Sequence, residues 1–202
     1  MSFALAQTDR IRRDAVYTAI AKYPDKPLMF AAASNGGKLD WRRFPASHPD
    51  VFCIHSATSD GNPSSFNPTA DANDNYSVLG EFVEAPHKGT ATERLSGTSV
   101  ATPIAAGIAA LVLDFARQKK SEDQRKVVRE PRKLRTKEGM DNVFAKMVDP
   151  RMKGRSNAEY FNLQPWHLLG LRENEAEDFD DTCDRVSIYI NDAIANVYCP
   201  PP

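Results

Sequence analysis

"RLSGTSVATP", residues 94–103, runs straight into "IAAGIAALVLDFA", residues 104–116, and the junction between them decides how the chain folds. Pro103 has no amide hydrogen and is tolerated without cost only near the start of a helix. The helix that ends near Phe115 therefore begins close to Ser99. At that position the backbone N–H groups have no intrahelical partner and the helix dipole is positive, which suits an anion forming beside the hydroxyl. Because the run is apolar around nearly its whole circumference, the expected place for this helix is the middle of the domain, buried on every side. Gly97 and Ala101 are small and leave room for a ligand to approach. A serine so placed is either a helix cap or a nucleophile, and this stretch alone leaves both open.

A second stretch, "MFAAASNGG" at residues 29–37, bears on that choice. A run of small residues stops at an Asn followed by two glycines, so Asn35 leaves the C-terminal end of a buried strand, where open α/β sheets bind ligands. Its side-chain amide is a neutral donor of the kind that stabilises a developing oxyanion. Taken alone, "SNGG" is a turn.

The surrounding sequence supports an α/β class. From Met1 to about Gln118, short apolar runs alternate with helical patterns: "FALA", then "RIRRDAVYTAIAKY" with Ile11, Ala15, Ala19 and Ile20 on one side, then "PLMFAAA", "VFCIHSA" and "SVLGEFVEA". Near-continuous apolar strands in that order predict a parallel sheet covered by helices on both faces. Residues 119–137 read as a basic linker, dense in Lys and Arg against Glu122, Asp123 and Glu130. With no aromatic interleaved to stack a base, the segment gives no sign of nucleic-acid binding. Residues 138–202 read as a mainly helical accessory tail, with "EGMDNVFAKMV" and "CDRVSIYINDAIANVY" as its helices.

Composition narrows the class. A chain of 202 residues with 41% hydrophobic and 26% charged residues and a net charge of -1 has globular proportions and no charge-selected partner. Cys53, Cys183 and Cys199 form neither a disulfide framework nor a CxxC pair, so the expected compartment is reducing and cytoplasmic, and no metal or cofactor is called for. No apolar run approaches the roughly 18 residues that span a membrane. "MSFALAQTDRIRRD" lacks the basic n-region of a secretory leader.

Together, "GTSVATP" and "AAASN" resemble the two signatures of the subtilisin-like serine peptidase family (peptidase S8), and specifically its fungal intracellular-type members, over Met1 to about Lys119. The first is similar to the family's Gly-Thr-Ser-x-Ala-x-Pro segment, the second to its oxyanion-hole strand. The resemblance implies the C-terminal half of a subtilisin-like domain, with part of its parallel sheet, and a polypeptide substrate. It implies Ser99 as nucleophile and Asn35 as oxyanion donor. "MSFALA" resembles the strand lining the substrate cleft, so Ser2, Phe3 and Ala4 are implied to face the peptide, with Ala32, Ala33 and Ser34 as the opposite wall. "GNPSSFNP" resembles the loop preceding the nucleophile region. Where the family often has Gly, this chain has Ser34.

The family's triad runs Asp, His, Ser, with an Asp-x-Gly strand end and a His-Gly-Thr helix start. Neither occurs here: His48, His55, His87 and His167 sit in "ASHPD", "FCIHS", "EAPHK" and "QPWHL". The expectation is that an upstream half supplies the Asp and His and that these 202 residues are inactive alone. The competing reading is a non-catalytic remnant that binds extended peptides or other proteins.

Overall fold

The computed structural model describes residues 10–22, 27–70, 75–86, 89, 92–118, 127–148, 160–169 and 179–199. The chain divides into two compact units, residues 1–107 with 154–162 and residues 108–153 with 163–202.

In the first unit, helix α1 (Arg10–Lys22) precedes strands β1 (Met29–Ala32), β2 (Val51–Ala57), β3 (Tyr76–Leu79), β4 (Val83–Pro86) and β5 (Thr92–Leu95). Strand β6 (Phe161–Asn162) completes a four-stranded, wholly parallel sheet in the order β1-β2-β3-β6. All seven residues of β2 are buried, as a central parallel strand covered on both faces requires. On one face, Ala31, Ala33, Val51 and Cys53 pack with Ile20 and Val16 of α1. Phe30 and Phe52, register partners in β1 and β2, stack on the other face with ring centroids 5.0 Å apart. The expected parallel sheet flanked by helices is therefore present, but the strand–helix alternation is not: among the described residues β1 to β5 follow one another with no helix between them.

Two local expectations change. The buried side of α1 is Val16 and Ile20, not Ile11 and Ala15: Ile11 is 86% exposed, and Ala15 and Ala19 are exposed. The face is selected by Tyr17, whose ring lies 4.9 Å from Phe44 and 4.6 Å from His48. The run "SVLGEFVEA" is two strands of different sheets. β3 joins the parallel sheet, the chain turns at Phe82 with φ of 54°, and β4 pairs antiparallel with β5. That hairpin delivers the chain to Gly97.

Helix α2 spans Thr98–Phe115 and starts beside Ser99 as the sequence predicts, but Pro103 lies inside the helix rather than in its first turn. It is not buried all round. Ala101 and Ala105 are buried, while Ser99, Pro103, Gly107, Ala110, Leu111 and Asp114 form an exposed stripe. Contrary to the expectation from sequence, α2 is by length and composition apolar enough to cross a membrane. The exposed positions are mostly small, so the stripe carries little apolar bulk apart from Leu111, which is 62% exposed.

The second unit is helical. α3 (Lys137–Met147) and α5 (Phe179–Ile194) enclose a core of Leu134, Met140, Phe144, Met147, Ile190 and Ile194, with the short α4 (Trp166–Leu169) beside them. Thr136 caps α3 by accepting the Gly139 N–H at 3.0 Å. Asn142 Nδ2 donates to the Ala193 carbonyl at 3.0 Å, and Lys146 pairs with Asp192 at 3.0 Å. Both runs read as helices in the sequence are helical, although the second is shifted: α5 starts at Phe179 and ends at Ile194 rather than running over Cys183–Tyr198.

His55 is a fully buried titratable group on β2. Its ring meets Tyr160 edge-on at 4.9 Å, and Tyr160 donates its hydroxyl to the Pro68 carbonyl at 2.6 Å. Burial, with the positive charge of Arg42 adding, pushes the imidazole down from 6.5 to about 4. The unfolded chain therefore takes up this proton first as pH falls. Folding stability should be flat above about pH 6.5 and drop by about 3 kcal/mol between pH 6.5 and 4 through this residue. Denaturant titrations of the wild type and His55→Phe across that range check it: the variant should lack this component.

Candidate active site at the start of helix α2

The site is built where β1 ends and α2 begins. Gly97 carries the chain into the helix with φ of +153°, and its carbonyl accepts the Val100 N–H at 3.0 Å and the Ala101 N–H at 3.2 Å. Thr98 is the first helical residue, and its N–H lies beyond the intrahelical ladder. Asn35, projecting past the end of β1, satisfies it: Asn35 Oδ1 accepts the Thr98 N–H at 2.9 Å and the Thr98 hydroxyl at 3.0 Å. Only the oxygen of a carboxamide can accept an N–H, so this contact fixes the orientation of the amide. Asn35 Nδ2 is left as a donor on the opposite side.

The position of Gly97 shows what that donor faces. A Cβ added to Gly97 would stand 3.0 Å from Asn35 Nδ2 and 3.3 Å from Ser99 Oγ. The amide nitrogen and the hydroxyl thus flank one small volume, within hydrogen-bond reach of each. Both Asn35 and Ser99 are exposed, while Gly97 and Thr98 beneath them are buried. A hydroxyl at a helix N-terminus beside a fixed neutral donor can serve an addition to a carbonyl that leaves charge on oxygen.

The remaining implied residues have distinct placements. Ala32 and Ala33 are buried, and Ala33 packs in the core beneath α1, so what it offers a cleft is backbone. Ser34 is half-buried and donates its hydroxyl to Asp40 Oδ2 at 2.5 Å, while its carbonyl accepts from Thr98 Oγ1 at 3.3 Å. Ser2, Phe3 and Ala4 lie outside the described residues, as does His87. His55 is on the wrong face to serve Ser99. Its neighbours Val51 and Cys53 pack toward α1, whereas a Cβ at Gly80 would meet Ser56 Oγ and Ala101 Cβ, marking the Ser56 face as the one carrying α2. His48 is buried with its Nδ1 accepting the Asp50 N–H, and His167 is exposed beside Gln164.

Two features were not visible in the sequence. The loop "GNPSSFNP" is locked to β2: Asn67 Oδ1 accepts the Ser56 N–H at 2.9 Å, its Nδ2 donates to the Ser56 carbonyl at 2.7 Å, and the hydroxyls of Ser64 and Ser56 meet at 2.8 Å. Asp40 is the other. The hydrogen bond from Ser34 holds its carboxyl below the ordinary value, with Arg43 and the Trp41 N–H assisting against partial burial. An Asp following "SNGG" is the signal that could have drawn attention to it.

A profile described as peptidase S8, subtilase family, matches residues 4–144. The chain belongs to the subtilase family. It is 30% identical over 108 residues to subtilisin-like protease 6 of Arthroderma benhamiae, covering 53% of this chain and 26% of that protein. It is 35% identical over 104 residues to the subtilisin-like protease het-Q2 of Podospora anserina, covering 48% of this chain and 28% of that one. The matches thus span little more than a quarter of these relatives. Among solved structures, the patellamide maturation protease PatA aligns with a TM-score of 0.55 and 25% identity, over 83% of this chain and 57% of that one. The prenylagaramide maturation protease PagA aligns with a TM-score of 0.56 and 23% identity over 82% and 56%, a likeness of fold. These similarities assign the α/β architecture to the subtilisin-like fold.

Gly97→Ala tests the geometry. An alanine there must adopt unfavourable backbone and push on Asn35 and Ser99, so chemical denaturation should show a loss of about 1–3 kcal/mol. Gly107→Ala, on the exposed stripe of α2 with nothing within 4 Å of the added carbon, should instead gain about 0.5–1 kcal/mol.

Proposed function

We propose that this chain carries the nucleophile and oxyanion hole of a serine endopeptidase. One observation carries the reading: in a chain of the subtilase family, Asn35 Nδ2 and Ser99 Oγ converge on the same small volume in front of Gly97. In the proposed reaction Ser99 Oγ attacks the scissile carbonyl carbon of a polypeptide while its proton passes to a base. The carbonyl oxygen, now anionic, accepts from Asn35 Nδ2 and the Ser99 N–H. Collapse of the tetrahedral intermediate breaks the C–N bond, and the amine leaves with the proton from the base. Water then repeats the sequence on the acyl-enzyme and frees Ser99. Nothing in these steps requires a metal or cofactor.

The base and its carboxylate partner belong, in this proposal, to sequence beyond the four histidine segments present, in the same polypeptide or a companion one. In this proposal the family resemblance assigns Ala32, Ala33 and Ser34 to one wall of the pocket for the residue before the cut; Ser2, Phe3 and Ala4, which it assigns to the other, lie outside the described residues. The proposal extends to the fungal intracellular-type branch and, from three unpatterned cysteines, to a cytoplasmic setting. A second reading, a peptide-binding module without chemistry, is favoured by the placement of His55 on the sheet face opposite α2.

Two experiments separate these. The 202 residues alone should neither cleave casein nor be labelled at Ser99 by a fluorophosphonate; labelling lost in Ser99→Ala would show that a base is recruited from within the chain. In a domain completed with an Asp- and His-bearing half, Asn35→Leu should lower kcat by about 10² to 10³ with KM little changed, the magnitude of the known subtilisin case. Ser99→Ala should cost far more. A completed, folded domain without activity would leave the binding module.

A further inference from the structure

Asp40 has no part in the reaction just described, yet it touches the chain on both sides of Asn35. Its Oδ2 accepts the Ser34 hydroxyl at 2.5 Å, immediately before Asn35. Immediately after Asn35, its side chain lies so close to Gly36 that an added Cβ there would overlap the carboxylate. The same Ser34 oxygen accepts the Gly36 N–H at 3.3 Å, closing a small ring around the Asn35 backbone.

Asp40 is itself held. Its Oδ1 accepts the Trp41 N–H at 3.0 Å and its Oδ2 the Arg43 Nε–H at 3.2 Å. The Arg43 N–H in turn donates to the Ala33 carbonyl at 2.9 Å, and the Asp40 N–H to the Gly37 carbonyl at 2.9 Å. Both carboxylate oxygens are thus occupied by the chain's own donors, and the side chain is only 22% exposed. A carboxylate committed in this way is not a contact for a substrate cation. It is a clasp that fixes the turn from Ser34 to Gly36.

We propose that Asp40 is a positioning residue for Asn35: by gripping Ser34 and packing on Gly36 it holds the Asn35 amide with Oδ1 on the Thr98 N–H and Nδ2 toward Ser99. The importance of this for catalysis rests on the reading of Asn35 as an oxyanion donor. Positioning matters there because a donor must already point to where charge develops, and a donor that swings freely loses most of its effect. The handle is the Ser34 hydroxyl, an atom that a glycine or alanine at this position would lack.

The Thr98 backbone amide reports the clasp directly, because its partner is Asn35 Oδ1. In the full chain, hydrogen exchange followed by NMR should show Thr98 protected. Asp40→Ala and Ser34→Ala should each lower that protection by about tenfold, the effect of freeing one hydrogen bond. Ala105, further along α2, should change little, which separates loss of positioning from general destabilisation. Asp40→Asn keeps an oxygen for Ser34 and should restore most of the protection. Should Asp40→Ala not fold, Ser34→Ala, which removes one hydroxyl, carries the test. Unchanged Thr98 protection in the folded variants overturns the proposal, as does a loss shared equally by Ala105 or one that Asp40→Asn does not restore. The measurement needs no turnover: an Asn35→Leu variant with undiminished kcat would remove the catalytic reading while leaving the clasp intact.

Discussion

The hydrogen bond from the Thr98 N–H to Asn35 Oδ1 joins residues 63 apart in sequence and is the contact on which the site's geometry depends. Every α-helix starts with N–H groups that its own ladder cannot satisfy, and a buried one must find an acceptor. Thr98 is nearly fully buried, and the oxygen comes from the end of β1. Satisfying that structural demand leaves the amide only one orientation, so the nitrogen is turned outward beside Ser99. The same side chain stabilises a helix start and presents a donor, and its second role follows from the first.

Around this tie the structure suppresses movement with polar rather than apolar contacts. Asn67 satisfies both backbone groups of Ser56 as a neighbouring strand would, which lets an irregular loop lie against a buried strand without leaving unpaired amides. Gly80 donates its N–H to the Ala57 carbonyl and accepts the Gly97 N–H at 2.8 Å, linking the end of β3 to the turn before Ser99. These bonds set the distance between sheet and helix start more sharply than side-chain packing can, because their lengths tolerate little variation.

Much of this was legible because proline and glycine punctuate the sequence. The Gly97 turn marks the start of α2, inside which Pro103 lies, and the Pro and Gly flanking "MFAAA" bound β1. The apolar run "VFCIHSA" is β2 from end to end. What was hidden depends on partners distant in sequence or on one residue's backbone. The periodicity of α1 fits two faces, and the choice is made by Phe44 and His48, which sequence order cannot bring to Tyr17; Arg13 adds to it, 5.5 Å above the Phe44 ring. The break inside "SVLGEFVEA" falls at Phe82, a bulky residue at positive φ that composition would not nominate. The exposed stripe of α2 was hidden because small apolar residues read identically whether a neighbour covers them or water does. Among the site residues, Asn35 and Ser99 stand out in the sequence as candidates, and the structure brings them together in front of Gly97. Their link through Thr98, and the hold of Asp40 on Ser34, were not legible, since each is a side-chain contact with no spacing rule.

The alternation of β2 has a consequence for how this sequence could change. A strand offers its side chains to the two faces in strict turn, so position 55 and the helix bearing Ser99 are separated by the parity of one residue. No rotamer of His55 crosses the sheet. A histidine could reach the α2 side of β2 only from position 52, 54 or 56, or through a single-residue insertion or deletion that reverses the whole strand. Such a reversal would also bring Val51 and Cys53 out of the core beneath α1 and break the pairing of Ser56 with Asn67. The nearest buried imidazole in the sequence is therefore among the least accessible sources of a new base, while position 56 is one substitution site away from the required face.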